Sequence, residues 1–229
     1  MENSTPMYGT QIIIDDRGSF ITKTYTTLLM AIMAFIGLES FYFQTGLSQT
    51  IAQFFFGQSW LVILGAFIII GGLASHFAHS IESKVGQFLA LSLYVLAESI
   101  IFVPLLTLAQ NHVSGGVIEN AAITTGLGFL GLTLVAFLTR KDFSFLKGML
   151  LWGGILALLT IVAGSLFGFA LGTYFSVAMV ALAGAAILYD TSNIIHNYPE
   201  EQHVGAALEL FSSITMMFWY VIQLFMGRD

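Results

Sequence analysis

Cysteine is absent from the 229 residues of this chain, and charged side chains are scarce. Without cysteine there are no disulfides, no thiolate metal sites and no cysteine nucleophiles. Charged residues make up 9% of the chain, whereas a typical soluble domain carries roughly 25%. The seven cations are too few for a phosphate-binding surface, so the composition argues against a nucleic-acid partner.

Apolar residues are abundant instead, at 57% of the chain, and they lie in long blocks. Several blocks reach the ~20 residues that cross a ~30 Å hydrocarbon core as a helix. The pattern predicts an all-α membrane protein, a bundle of seven transmembrane helices near residues 24–45, 60–79, 86–109, 119–139, 144–166, 172–195 and 204–226.

The boundary between the fifth and sixth spans is marked by three glycines at intervals of four residues, Gly164, Gly168 and Gly172. This spacing fits either a tight turn or a close contact between helices. We favour the turn, because one helix from 144 to 195 would be far longer than a bilayer requires.

The cations are distributed unevenly between the two sides of this seven-span arrangement. One side has only Arg228, and the other has Arg17, Lys23, Lys84, Arg140, Lys141 and Lys147. Short cation-rich loops face the cytoplasm. We therefore predict a polar cytoplasmic tail over residues 1–23, a transmembrane domain over 24–229 and a periplasmic carboxyl terminus. The aromatic cluster Phe54, Phe55, Phe56 and Trp60 is predicted to anchor the outer interface.

Four acids lie within the predicted spans, where a charge costs at least ~2.5–3.5 kcal/mol. They are Glu39, Glu98, Asp190 and Glu209. Asp190 ends the sixth span and Glu209 lies near the start of the seventh, so the two could share one polar pocket. A carboxyl pair can hold a proton or a cation, and oxygens of Thr191, Asn193, Ser212 and Ser213 could supply part of a calcium shell. Alternatively, Asp190 caps the loop and Glu209 reaches interfacial water, while Glu39 and Glu98 are neutral acids bonded to neighbouring helices.

Enzyme signatures are incomplete. An intramembrane aspartyl protease requires a second aspartate, but Phe129 follows Gly126-Leu127-Gly128. His76 and His79 could bind a metal, yet two ligands without a third favour an interfacial polar pair. The chain is therefore predicted not to be an enzyme, and no cofactor is expected apart from a calcium ion at the carboxyl pair.

Small residues are concentrated in two spans, where they allow helix backbones to approach closely. We expect such contacts at Ala181, Ala183, Gly184, Ala185 and Ala186 of the sixth span, and at Gly126, Gly128 and Gly131 of the fourth.

Two segments carry a resemblance to a known family. The run from Ala186 to His196 reads AILYDTSNIIH, and the segment from Arg140 to Leu146 reads RKDFSFL, followed by Gly148-Met149-Leu150. Together they resemble the signatures of the Bax inhibitor-1 family, and the resemblance extends over residues 20–229. The ending of the first motif and the closing Gly227-Arg228-Asp229 are most similar to the YccA-like branch, whose members modulate the FtsH protease.

The resemblance implies two competing functions. In the calcium-leak branch, an aspartate in the sixth span and another in the seventh form a pH-sensitive latch. Asp190 matches the first aspartate, but Ser213 stands at the place of the second. Glu209 lies one turn earlier on roughly the same face and could compensate. No arginine lies in the second span to pair with the latch.

These departures favour the YccA-like branch. The resemblance then implies a bacterial inner-membrane protein that binds a FtsH-type ATP-dependent membrane protease and restrains its action. The tail from Met1 to Lys23, with Asp15, Asp16 and Arg17, would give the protease a handle, while the packed bundle would resist extraction. A solvated tail without this role is the alternative.

Overall fold

The computed structural model describes residues 8–58, 60–80, 83–111 and 115–227. Side chains are described from Arg17 onward, apart from those of residues 60, 64, 67, 79 and 80. The predicted tail residues 1–7, the side chains of Asp15 and Asp16, those of Trp60 and His79, and the closing residues Arg228 and Asp229 therefore lie outside the described part.

The described residues form eight α-helices and one short 3-10 turn, and they contain no strand. The helices are α1 (Tyr8–Thr45), α2 (Leu47–Phe56), α3 (Trp60–Ser80), α4 (Lys84–Gln110), α5 (Val117–Thr139), α6 (Leu146–Phe167), α7 (Gly172–His196) and α8 (His203–Met226), with the 3-10 turn at Glu200–Gln202 between the last two. Seven of them, all but α2, are long and apolar enough to cross a membrane. The predicted seven-span helical fold is thus confirmed.

Two features differ from the expected boundaries. Helix α1 begins at Tyr8, and its apolar span begins at Arg17. Residues 17–23 of the predicted tail therefore belong to the first spanning helix. In addition, α2 occupies a segment that the sequence pattern did not predict to be helical. It is too short to span, and it exposes Phe54 and Phe56, as an interfacial anchor would; that role stays a prediction.

The glycine-rich segment between α6 and α7 is a turn, as predicted. Gly168 has a φ of 73° and Gly172 a φ of 65°, a left-handed conformation that residues with a Cβ rarely adopt. The amide of Gly168 donates to the carbonyl of Gly164 at 2.9 Å and closes the end of α6.

Helix α8 lies at the centre of the bundle and packs against α1, α3, α4, α5 and α7. Its first two turns contain the small apolar residues Val204, Gly205, Ala206 and Ala207, and residues 203–208 are all buried. Further along, Trp219 meets Phe102 of α4 edge-on, with ring centroids 5.0 Å apart. Because lipid tails are as apolar as these side chains, close packing rather than exclusion of water holds such helices together.

Two of the predicted small-residue contacts occur at Met217 of α8. A Cβ on Gly184 would lie 3.5 Å from Met217 Cε and 3.3 Å from Leu132 Cδ1, and one on Gly128 would lie 3.4 Å from Met217 Sδ. By contrast, a Cβ on Gly126 or Gly131 would meet nothing within 4 Å. The small-residue prediction therefore holds for Gly128 and Gly184, whereas for Gly126 and Gly131 it was wrong.

Candidate functional site

A cavity of about 360 Å³ lies between α3, α4, α7 and α8. It is close to the end of the bundle where α7 ends and α8 begins. We call it the Asp190 cavity; its lining consists of Ile68, Gly71, Ser75, Tyr94, Asp190, Leu208, Glu209, Ser212 and Ser213. Both acids that the sequence placed near one pocket are in this lining.

Asp190 is bonded to a serine rather than to another acid. Ser213 Oγ donates to Asp190 Oδ2 at 2.6 Å, and both residues are buried. Ser213 is the residue for which the family resemblance implies a second aspartate. Since a serine hydroxyl supplies one proton and carries no charge, it satisfies one lone pair of the carboxyl without repelling it.

Glu209 has a different hydroxyl partner. The Tyr198 hydroxyl, in the turn between α7 and α8, donates a hydrogen bond to Glu209 Oε2. Burial, and then the nearby charge of Glu209, raise the pKa of the Tyr198 hydroxyl well above its usual range. The Tyr198 ring also stacks on Phe20 of α1, with centroids 6.4 Å apart. The turn is therefore attached both to the cavity and to the first helix.

Arg17 fastens the same turn from the other side. Its guanidinium donates to three backbone carbonyls at the end of α7, those of Asn193, Ile194 and Ile195, at 3.4, 2.7 and 3.0 Å, and to the carbonyl of Tyr198 in the turn, at 2.5 Å. The last carbonyls of a helix have no partner within it and carry partial negative charge, so a cation there is stabilising. Arg17, counted in the sequence only as a tail cation, thus joins the start of α1 to the end of α7.

The two segments that carry the family resemblance also meet here. The amide of Phe143 donates to Ser192 Oγ at 2.9 Å. Ser192 is fully buried near the end of α7, two residues after Asp190. The loop between α5 and α6 is therefore held against the helix that carries Asp190.

A third acid, Glu98, lies beyond the cavity wall. The Tyr94 hydroxyl is 2.8 Å from Glu98 Oε1 and 3.0 Å from Ser212 Oγ, and Thr215 Oγ1 is 3.4 Å from the same Glu98 oxygen. Tyr94 and Ser212 line the Asp190 cavity, whereas Glu98, 2% exposed, is enclosed behind them.

The remaining candidates are not part of this lining. Glu39 is buried in α1, and neither of its carboxyl oxygens has a hydrogen-bond partner. Thr191 is fully buried beside Tyr25 and Thr133, and none of the three hydroxyls makes a hydrogen bond of good geometry. His76 is exposed on α3, with its ring near Phe77.

The lining of the cavity therefore contains Asp190, Glu209, Ser212 and Ser213, whereas Glu39 and His76 are not part of it. Asn193 contributes its carbonyl to Arg17 rather than a side chain to the cavity. In the described part of the chain, no three His, Asp or Glu side chains are grouped as a metal site would require. Such a cavity can exchange protons and accept a hydrated cation, and those roles for Asp190 and Glu209 stay predictions.

Sequence reasoning missed three contributors, Arg17, Tyr94 and Tyr198. The four-residue spacing of Tyr94 and Glu98 places them on one helix face, so their contact could have been predicted from the sequence. Nothing local in the sequence indicates that Arg17 and Tyr198 meet.

These features define a multi-pass helical membrane protein with a buried acid at the end of its sixth span. The family model described as "Inhibitor of apoptosis-promoting Bax1" matches residues 17–229. The chain belongs to this family, the Bax inhibitor-1 family. The match begins at Arg17, the residue that fastens α1 to α7.

Three relatives show how widely the family is distributed. The chain is 29% identical to Protein LIFEGUARD 4 of Arabidopsis thaliana over 226 residues, which cover 93% of this chain and 86% of that protein. It is 33% identical to Modulator of FtsH protease YccA of Escherichia coli over 129 residues, 55% of this chain and 58% of YccA. It is 38% identical to protein PA2604 of Pseudomonas aeruginosa over 113 residues, 48% of this chain and 50% of that protein. Thus the chain spans little more than half the length of the two bacterial relatives.

Proposed function

We propose that this protein is a non-enzymatic modulator of membrane-protein quality control, which binds a FtsH-type ATP-dependent protease in a bacterial inner membrane and restrains it. The observation that carries the proposal is the 33% identity to a protein named as a modulator of FtsH. The serine at position 213 supports it, because the latch of the calcium-leak branch would require a second aspartate there.

The bundle has the properties of a protein that can be gripped without being pulled apart. The tail ahead of Arg17 would serve as the handle, and Arg17 donates four hydrogen bonds to residues 193–198, where α7 ends. Force on the tail would therefore be transmitted to α7 and α8 at once. Since α8 is the central helix, extraction would have to break the whole bundle cooperatively.

The test is association and turnover in cells that contain the protease. Deleting residues 1–20 would also remove Arg17 and the core residue Phe20, so the deletion should end at residue 14. We expect the full chain to co-purify with the protease. The truncated protein should have a longer lifetime in cells, because it lacks the handle. The control has a scrambled tail of the same composition. Unchanged association and lifetime in the deletion would refute the handle.

A pH-gated calcium leak is the second candidate, favoured by one observation: Asp190 and Glu209 line the same cavity. Its test is calcium entry into liposomes that contain a calcium dye, across pH, for the wild type and Asp190→Asn. Asp142→Asn, on the exposed loop before α6, is the control. Proton-dependent entry that Asp190→Asn abolishes would support the leak. An absence of flux, or flux indifferent to the substitution, would eliminate it.

A further inference from the structure

We propose that Glu98 is a second proton-binding site, deeper in the membrane than Asp190, and that it exchanges its proton with the Asp190 cavity through the Tyr94 hydroxyl. The proposal rests neither on the protease nor on calcium. It rests on the position of Glu98 behind the cavity wall and on the hydrogen bonds that connect it to that wall.

Glu98 is enclosed, but only one side chain separates it from the cavity. It lies 14 residues into α4, well inside the span, and is 2% exposed. The Tyr94 hydroxyl contacts both the Glu98 carboxyl, at 2.8 Å, and Ser212, at 3.0 Å. Because Tyr94 and Ser212 line the cavity, an unbroken series of oxygens extends from the cavity to Glu98.

The hydrogen bonds allow two arrangements of the protons. When Glu98 is ionised, Tyr94 donates to Oε1, and Ser212 can donate to the Tyr94 oxygen. When Glu98 is protonated, the acid can donate to Tyr94, which then donates to Ser212. A hydroxyl is both donor and acceptor, so each arrangement satisfies every oxygen in the series.

The transfer is balanced and involves no redox step. As a proton moves inward, the O–H bond of Tyr94 breaks and its proton forms a new O–H bond on Glu98. The Tyr94 oxygen takes a replacement proton from Ser212, and the Ser212 oxygen in turn takes one from a hydronium ion in the cavity. Glu98 changes from carboxylate to neutral acid, and the cavity loses one proton.

The ligand set is suited to a proton rather than to a divalent cation. Glu98 has two hydrogen-bonding neighbours, Tyr94 and Thr215, whereas calcium takes six to eight oxygens. Thr215 already has backbone acceptors in its own helix, at 3.0 and 3.1 Å. One carboxyl and two hydroxyls do not replace the water shell of a metal ion.

No cation neutralises Glu98 in the described part of the chain. Apart from Tyr94, the titratable side chains described on α4 and on the helices that pack against it are Lys84 on α4, Arg17, Lys23, Tyr25, Glu39 and Tyr42 on α1, His76 on α3, Glu119 on α5, and His203, Glu209 and Tyr220 on α8. None of them forms an ion pair or a hydrogen bond with Glu98. An ionised acid at this depth is costly without a partner, and a proton from the cavity removes that cost.

Infrared difference spectroscopy of the full-length protein in lipid vesicles tests the proposal, with deuterium oxide as the probe. A protonated carboxylic acid gives a carbonyl stretching band that shifts when its proton is exchanged for deuterium. We expect a component of this band that is lost in Glu98→Gln and retained in Asp190→Asn and in Glu39→Gln, because the other buried acids contribute components of their own. Tyr94→Phe should retain the band but slow its deuterium exchange severalfold, while the control Tyr220→Phe leaves the rate unchanged.

Two results would overturn the proposal. If the band is unchanged in Glu98→Gln, or is absent from the wild type at every pH, Glu98 does not bind a proton. If Tyr94→Phe exchanges at the wild-type rate, Tyr94 is not the connection. Should Glu98→Gln fail to fold, the exchange rate in Tyr94→Phe still decides, because phenylalanine removes only a hydroxyl. Neither readout depends on protease binding, so this proposal can fail while the proposed function holds.

Discussion

Ser213 donates a hydrogen bond of 2.6 Å to the carboxyl of Asp190, across the interface of α8 and α7. Asp190 is the acid that matches the family motif, and the residue opposite it is neutral. The pair is therefore an acid held by a hydroxyl rather than two acids that share a proton. This serine–aspartate pair therefore differs from the pair of aspartates that the family resemblance implies for the calcium-leak branch.

Removing the Ser213 hydroxyl should destabilise the bundle. In Ser213→Ala the buried carboxyl of Asp190 loses its hydrogen-bond donor, which costs about 1–3 kcal/mol. Thermal unfolding in detergent measures the change. Ser92→Ala is the matched control, because Ser92 is exposed and bonds only the carbonyl of Phe88 in its own helix. Equal unfolding temperatures for the two variants would contradict this account of Ser213.

Replacing Arg17 should loosen the start of α1. Arg17→Gln removes the charge at the end of α7 and most of the four hydrogen bonds, with an expected loss of about 1–3 kcal/mol. Arg17→Lys should recover part of it, since lysine is a point charge without the forked donors of arginine. Lys23→Gln, exposed on the same helix, controls for charge alone. The prediction fails if Lys23→Gln is as destabilising as Arg17→Gln in thermal unfolding.

The Tyr198 hydroxyl should make stability depend on alkaline pH. Its pKa is raised in the folded protein, so the neutral form is favoured by folding. The resulting stability is fully present below the ordinary tyrosine pKa of about 10 and is lost as pH rises beyond it. The difference in unfolding temperature between the wild type and Tyr198→Phe should therefore shrink above that pH. The control is Tyr174→Phe, since Tyr174 is 91% exposed; a difference independent of pH would contradict the prediction.

A larger side chain at Gly184 should disrupt the contact of α5, α7 and α8. Even a Cβ there would be 3.3 Å from Leu132, so Gly184→Leu should cost about 1–3 kcal/mol through overpacking. Gly131→Leu, at an exposed position with open space, should be tolerated. Thermal unfolding of the two purified variants measures the contrast. Similar behaviour of both would mean that the bundle is not closely packed at Met217.

The absence of cysteine allows the orientation to be measured directly. The positive-inside rule places Lys141 in the cytoplasm and Asn111 across the membrane, and both are exposed. A membrane-impermeant thiol reagent added to spheroplasts, whose inner membrane is intact, should label Asn111→Cys and leave Lys141→Cys unlabelled. The reverse pattern would invert the predicted topology.

The fold was largely predictable because the bilayer imposes one length and one composition on every span. Asp190 could be predicted as a candidate site residue as well, because an acid within an apolar span is costly and therefore unusual. Helix α2 was not predictable, because its ten residues, four of them polar, give neither a spanning length nor a clear loop signal. Arg17 and Tyr198 were not predictable either: their contacts join residues 181 positions apart, and only the packing of α1 against the end of α7 creates them.

Degradation in a purified system tests the central claim most directly. Vesicles containing a FtsH-type protease and a membrane-protein substrate are compared with and without this protein, and a soluble substrate serves as the control. The account predicts slower degradation of the membrane substrate when the protein is present, with the soluble substrate degraded at its usual rate. Equal degradation of the membrane substrate with and without the protein would contradict it.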